Sequence, residues 1–287
     1  MPEVLQEDQI WYDDWQSSDH ARLFDGRCVL SSRGLVRNYE SFNDVRLLNE
    51  WLDSTRELTL LEVGCATGEF HRYLKVKHPF IHYAGVDISR AAIARAKEKY
   101  PLGRFFVCEP EEALGSLLQR LNLPRNPQVV YTKDVVHHQT RPLEFISQLL
   151  QVTGEALVIR TRTRDVGETI MDPQLSCQYH YQGWMPYLVL NVQELIDHIR
   201  GQAPGCELVI YKNPTVLGGR ENRFLPKDCY LPQTGTAETA VGVFLKTSHP
   251  GRIRIEERKD MEVGLAWRGR CLNLARRLLK RGSKERS

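Results

Sequence analysis

Leu60-Leu61-Glu62-Val63-Gly64-Cys65-Ala66-Thr67-Gly68-Glu69-Phe70 is the stretch on which the chain's fold turns. An apolar run closes on an acid, enters a loop with two glycines four apart, and passes into a helical pattern. Nineteen residues after Gly68, Asp87 ends a second apolar run, Ile81-His82-Tyr83-Ala84-Gly85-Val86-Asp87. A strand, a glycine turn, a helix and a strand ending in a carboxylate make half of a nucleotide-binding unit.

The same rhythm continues on both sides. Asn43–Leu52 carries apolar residues at 45, 48, 51 and 52, a helical stripe. Strands are expected at Thr59–Val63, Ile81–Asp87, Arg104–Cys108, Gln128–Thr132, Ala156–Arg160, Glu207–Tyr211 and Thr239–Lys246. Helices are expected between them, near Glu69–Val76, Arg90–Tyr100, Pro110–Leu121, Leu143–Val152 and Val192–Arg200. Ser89 and Asn191 suit N-caps, because their side-chain oxygens can accept from free amides of the first turn. Such alternation predicts an α/β fold, a mostly parallel sheet with helices on both faces. Two connections break the pattern, residues 161–190 and 212–238. Both far exceed the roughly 2–6 residues usual for such joins, and long loops on a rigid scaffold commonly wall a binding site.

Hydrophobic residues make up 41% of the 287 positions and charged ones 26%, enough to build a full core. No apolar run reaches the roughly 20 residues that span a membrane, and the acidic start does not read as a secretory signal. Seven cysteines, an odd number without Cys-x-x-Cys, point neither to a disulfide framework nor to a metal site. A reducing cytoplasm is the expected compartment. The net charge of +3 is unevenly spread. Residues 1–20 hold six acids and no Lys or Arg, whereas 251–287 hold twelve Lys/Arg against five Asp/Glu. The body is therefore mildly acidic, which argues against DNA and other nucleic-acid partners for it.

A dinucleotide fingerprint would read Gly-x-Gly-x-x-Gly. Here the pattern is Glu62-x-Gly64-x-x-x-Gly68, with Asp87 ending the next strand. This combination resembles the class I S-adenosylmethionine (AdoMet)-dependent methyltransferases of the small-molecule type. Ala66 stands where that family often has glycine. The resemblance implies a Rossmann-like, seven-stranded sheet with an antiparallel last strand, and AdoMet as cofactor. It implies cofactor-binding roles for Glu62, Gly64, Cys65, Ala66, Gly68, Asp87, Ile88, Glu109, Lys133 and Asp134. Glu62 would act near the amino-acid end, Asp87 on the ribose hydroxyls, Ile88 on the adenine, and Glu109 near the adenine amino group. Glu111 and Glu112 offer alternative registers for that last acid.

Val129-Val130-Tyr131-Thr132-Lys133-Asp134-Val135-Val136-His137-His138 resembles the family's fourth motif, which faces the methionine portion and the acceptor. The Asn-Pro-Pro-aromatic motif of nucleobase-amine and protein-glutamine methyltransferases is missing. No catalytic residue is fixed by the sequence. His137, His138 and His180 are candidate bases, since imidazole titrates near neutrality. The histidine pair also reads as a strand end packed on the next helix. The aromatic group Tyr179, His180, Tyr181, Trp184 and Tyr187 suits stacking on a sugar or an aromatic ring, or a lid core. Its segment resembles methyltransferases associated with surface-polysaccharide genes.

The expected organisation is an N-terminal arm or lid over 1–40, a methyltransferase domain over 41–247 with acceptor-side insertions at 161–190 and 212–238, and a basic tail over 248–287. In the tail, Val263, Trp267, Cys271, Leu274 and Leu278 form one apolar stripe beside Arg270, Arg276, Arg277, Lys280 and Arg281. An amphipathic helix of this kind suits peripheral contact with an anionic membrane, or docking on its own domain. The expected activity is methyl transfer to an oxygen or nitrogen of a small molecule: a sugar, a lipid-linked glycan or a secondary metabolite. The alternatives are an RNA methyltransferase using the basic tail and a non-catalytic AdoMet-binding scaffold.

Overall fold

The computed structural model describes Trp15 and residues 30–52, 56–109, 112–180, 183–219 and 222–261. The tail stripe at 263–278 and Glu111 lie outside the described residues. Chain order is α1 (Ser32–Glu40), α2 (Asn43–Trp51), β1 (Leu58–Val63), α3 (Glu69–Lys77), β2 (Ile81–Asp87), α4 (Arg90–Lys99), β3 (Phe105–Val107) and α5 (Leu114–Arg120). Then come β4 (Val129–Lys133), a 3-10 turn (Val136–His138), α6 (Pro142–Val152), β5 (Ala156–Arg164), β6 (Cys177–His180), β7 (Gly183–Pro186) and β8 (Leu190–Asn191). The described chain closes with α7 (Val192–Gln202), β9 (Glu207–Pro214), β10 (Arg223–Phe224), β11 (Ala237–Phe244) and β12 (Ile253–Glu257).

The main sheet runs β12-β9-β11-β5-β4-β1-β2-β3, with β8 beside β5. Strands β1 to β5 pair in parallel, and β11 is antiparallel to both β5 and β9. The seven expected strands are all here, and the last of them, β11, is antiparallel. Beyond them, β12 pairs in parallel with β9 and extends the edge. Alternation along β1 sends Leu58 and Leu60 to one face and Leu61 and Val63 to the other. The first face packs on α1 to α4 through Leu35, Leu48, Tyr73 and Ile93; the second packs on α5 to α7 through Leu117, Ile146 and Ile196. Each such fully buried aliphatic side chain contributes ~1.5–3 kcal/mol. Ser89 and Asn191 cap α4 and α7 as expected. Cys65, Cys177, Cys206 and Cys229 are buried, unbridged core residues. Among the described residues, no helix is long and apolar enough to cross a membrane.

Three differences from the sequence expectation have physical reasons. Residues 32–40, expected in an irregular arm, form α1; only Leu35 and Tyr39, one turn apart, are buried, too short a stripe to stand out. The two long connections do not stay separate. They pair through β10 and β6 in a small antiparallel sheet, β10-β6-β7, over the carboxyl ends of the main strands. Strand β5 continues past Arg160 through Thr161-Arg162-Thr163-Arg164, and all nine of its residues are buried.

With Arg160, that extension buries three arginines on one face, and carboxylates gather around them. Arg160 donates to Glu238 and to Asp260 (3.1 Å) and lies 3.7 Å from Asp134 and 3.8 Å from Asp44. Arg162 donates from Nη1 to Asp134 Oδ1 (2.8 Å) and from Nε to the Tyr187 hydroxyl (2.8 Å). Arg164 binds Asp228. Burial alone would raise the Asp134 and Glu238 carboxyls, but Arg160 and Arg162 outweigh it and hold both below the usual carboxylate range.

Replacing Arg160 with Ala leaves Asp44, Glu238 and Asp260 without their shared cation. It is expected to cost about 3–5 kcal/mol of unfolding free energy in urea titration. The depressed Asp134 and Glu238 values also set a pH dependence. Their contribution is complete above about pH 4, the unfolded carboxylate value, and is lost as pH falls through the lower folded values. The wild-type urea midpoint should therefore decline on acidification below about pH 4, and that decline should shrink in Arg160→Ala.

Candidate active site

A cavity of about 620 Å³ opens at the carboxyl ends of β1, β2 and β4, where open α/β sheets bind ligands. Its floor is the loop after β1. The amides of Gly64 and Cys65 both donate to the Val86 carbonyl oxygen, at 2.8 and 3.0 Å. The Ala66 amide donates to Asp87 Oδ2 (2.7 Å), and the Ser89 amide to Asp87 Oδ1 (2.8 Å). Asp87 thus clasps its own loop. Burial raises its carboxyl above the usual range, and these two amides partly offset that. Each oxygen keeps acceptor capacity, since a carboxylate has about four lone-pair sites.

Glu62 is 5% exposed on the cavity wall and accepts from the Tyr83 hydroxyl. Parallel register sets it between Gly85 of β2 and Tyr131 of β4. Gly64 has φ of +85°, a left-handed conformation that side chains resist, and a Cβ there would meet Val135 Cγ2 at 2.2 Å. Gly68 has φ of +80° and abuts Phe105. Both glycines are demanded by protein packing as well as by the turn. Asp134 also adopts positive φ, at +59°, which turns the chain from β4 into the histidine pair. Lys133 Nζ sits 3.3 Å from the Phe42 ring centroid and 4.0 Å from Asp44.

The structure gathers Glu62, Gly64, Cys65, Ala66, Asp87, Ile88, Lys133, Asp134, His137 and His138 around this one cavity. Gly68 stands behind the wall as the N-cap of α3. Glu109 does not line the cavity; its carboxylate is exposed and held 2.5 Å from Arg90. Glu112, clamped by Arg120, lines it instead. His180 ends β6, and its side chain lies outside the described residues.

The far end of the cavity holds residues with weaker sequence signals: Trp15, Gln178, Tyr187, Arg162 and Arg223. Arg223 of β10 lies 4.4 Å over the Tyr187 ring and donates to Gln178 Oε1 (3.0 Å). Tyr187 in turn stands edge-on to His137 at 5.1 Å. Trp15 packs on the small sheet beside Cys177 and Met185 and edge-on to His138 at 5.2 Å. The unusual length of connections 161–190 and 212–238 and the aromatic group that includes Tyr187 pointed here; nothing local marked Arg162, Gln178 or Arg223. The residues fit a cationic nucleoside with an amino-acid end. Two buried carboxylates, Glu62 and Asp87, flank a loop whose positive-φ glycine keeps it close to the second strand.

A family model described as a methyltransferase domain matches residues 32–201. No curated protein matches the chain. Similar solved structures include a complex between the Haloferax volcanii Trm112 methyltransferase activator and a methyltransferase, at 9% identity and TM-score 0.49, covering 85% of this chain and 100% of that one. The plantazolicin methyltransferase BpumL in complex with SAH is similar at 13% identity and TM-score 0.46, over 82% of this chain and 94% of that one. A TehB-like SAM-dependent methyltransferase from Corynebacterium glutamicum is similar at 15% identity and TM-score 0.43, over 80% of this chain and 100% of that one. With the family model covering more than half of its length, this chain belongs to the methyltransferase-domain family and is an AdoMet-dependent methyltransferase.

Proposed function

We propose that the enzyme methylates an oxygen or nitrogen of a small molecule, of the class of sugars, lipid-linked glycans or secondary metabolites. The observation that carries this reading is the single cavity running from the glycine loop to an end closed by the small sheet and Trp15. Its volume of about 620 Å³ lies within the roughly 300–1,000 Å³ typical of small-molecule sites.

In this reading, Glu62, Gly64, Cys65, Ala66, Asp87, Ile88, Lys133 and Asp134 hold AdoMet, with Glu112 in the place expected of Glu109. When bound, AdoMet supplies an electrophilic methyl group on a sulfonium. Asp87 accepts from the ribose hydroxyls while keeping its two backbone amides. Glu62 balances the cationic amino-acid end. The small sheet, built from 161–190 and 212–238, excludes water and orients the acceptor, and orientation of the reacting atoms supplies much of such a rate enhancement. Trp15, from the N-terminal arm, covers the acceptor end as part of a lid, whereas residues 32–40 belong to the core as α1.

A radiolabelled methyl-transfer screen across glycans, glycolipids, small metabolites and RNA tests the acceptor class. Label is expected in a small molecule; label in RNA alone defeats the reading. Asp87→Ala should weaken SAH binding by calorimetry about 10²–10⁴-fold, the loss of two hydrogen bonds to a charged group at about 1.5–3 kcal/mol each. Wild-type affinity in that variant removes the ribose assignment. Trp15→Ala should raise the acceptor KM on the order of tenfold, about 1.4 kcal/mol, while SAH affinity stays unchanged.

A further inference from the structure

The two histidines after β4 are not equivalent. His137 is 1% exposed, and its Nδ1 has no hydrogen-bond partner among the described residues. Burial, then His138, Arg162 and Arg223, hold it well below the usual imidazole range. It is a neutral packing group under Tyr187. His138 is half-buried on the cavity wall, with its ring 4.1 Å from His137, 5.2 Å from Trp15 and 6.0 Å from Tyr187.

The decisive contact is His138 Nδ1 to the Pro186 carbonyl oxygen, at 2.6 Å. A carbonyl only accepts, so Nδ1 carries the proton. In the neutral ring, Nε2 then holds the lone pair, on the side of the ring away from Pro186. The same segment is fastened a second time, where the Leu188 amide donates to the His137 carbonyl oxygen at 2.8 Å. A fixed tautomer, a ring braced on both flanks and a wall position in the acceptor half are what a general base requires.

We propose that His138, positioned by the Pro186 carbonyl, is the general base of methyl transfer, and that the acceptor atom is therefore a hydroxyl oxygen. This rests on the small-molecule reading above. His138 Nε2 takes the hydroxyl proton as an oxygen electron pair forms the new bond to the methyl carbon. The carbon–sulfur bond breaks, and its electron pair stays on sulfur, leaving a neutral thioether. The imidazolium then releases its proton to water. Asp134, Arg162, Arg223 and Tyr187 face this region from the β4 turn, β5, β10 and the segment after β7, and Arg141 and Glu144 face it from the start of α6. Asp134 and Arg162 form an ion pair at 2.8 Å, so their charges compensate.

Two measurements on the full chain test the proposal. Nitrogen-15 NMR of labelled histidines, with His138 assigned by its loss in His138→Asn, should show a proton on Nδ1 and none on Nε2. A proton on Nε2 overturns the proposal without any acceptor in hand. With the acceptor returned by the screen, wild-type kcat/KM should fall about tenfold per pH unit below the imidazole pKa. In His138→Asn, whose amide can still donate to Pro186, the rate should drop about 10²–10⁴-fold. That acid limb should vanish, with SAH affinity kept within about twofold, less than ~0.5 kcal/mol. Transfer to a nitrogen, sulfur or carbon acceptor overturns the proposal, as does a variant rate within about threefold of wild type on a hydroxyl. Should the variant lose SAH binding, the tautomer decides. Absence of SAH binding to wild type, or of any small-molecule acceptor, instead defeats the functional reading.

Discussion

Three buried guanidinium groups on one face of β5 set the terms for much of this molecule. A buried cation is tolerated only where carboxylates and hydrogen-bond acceptors surround it. Arg160 and Arg162 therefore draw in Asp44 from α2, Asp134 from the turn after β4, Glu238 from β11 and Asp260 from beyond β12. These groups come from widely separated parts of the chain and meet at the carboxyl end of the sheet. The same face of β5 begins with Ala156 and Val158 in the apolar core. The strand thus changes along its length from core element to electrostatic hub, and the change occurs where the cavity begins.

The glycine-loop end of the cavity is organised differently, by backbone. Val86 and Asp87 at the end of β2 receive the amides of Gly64, Cys65 and Ala66. The glycine loop is held to its neighbouring strand before any ligand arrives, so less ordering entropy is lost on binding. The tight fit of Gly64 against Val135 also ties the loop to the turn that carries Asp134 and the histidine pair.

Most of the glycine-loop half of the cavity was legible in the sequence because its signals are local. Alternating apolar runs gave the strands, Ser89 and Asn191 marked helix starts, and Glu62, Gly64 and Asp87 fell in register with strand ends. Glu109 and Glu112 were not separable, because Arg90 and Arg120 choose between them from two different helices. The end of β5 was hidden for a related reason. Arg-Thr-Arg-Thr-Arg reads as a solvated stretch until the distant carboxylates that neutralise it are known. The small sheet was invisible because its strands β6 and β10 lie more than forty residues apart and pair over only two positions. The inequivalence of His137 and His138 depends on a carbonyl from Pro186, which no local pattern announces.

Arg162 is the weld between the two ends of the cavity. One side of its guanidinium holds Asp134, beside the glycine loop; its Nε holds Tyr187, under the small sheet. The glycine-loop half of the cavity belongs to the parallel βαβ core, and the half proposed for the acceptor to two long connections. Connections drift and exchange more freely than sheet strands do. Acceptor choice can therefore diversify by rewriting those connections, provided that Arg162, Asp134 and Tyr187 stay together. In the proposed reading the enzyme is modular, with a fixed donor socket and an exchangeable acceptor fitting joined through one side chain.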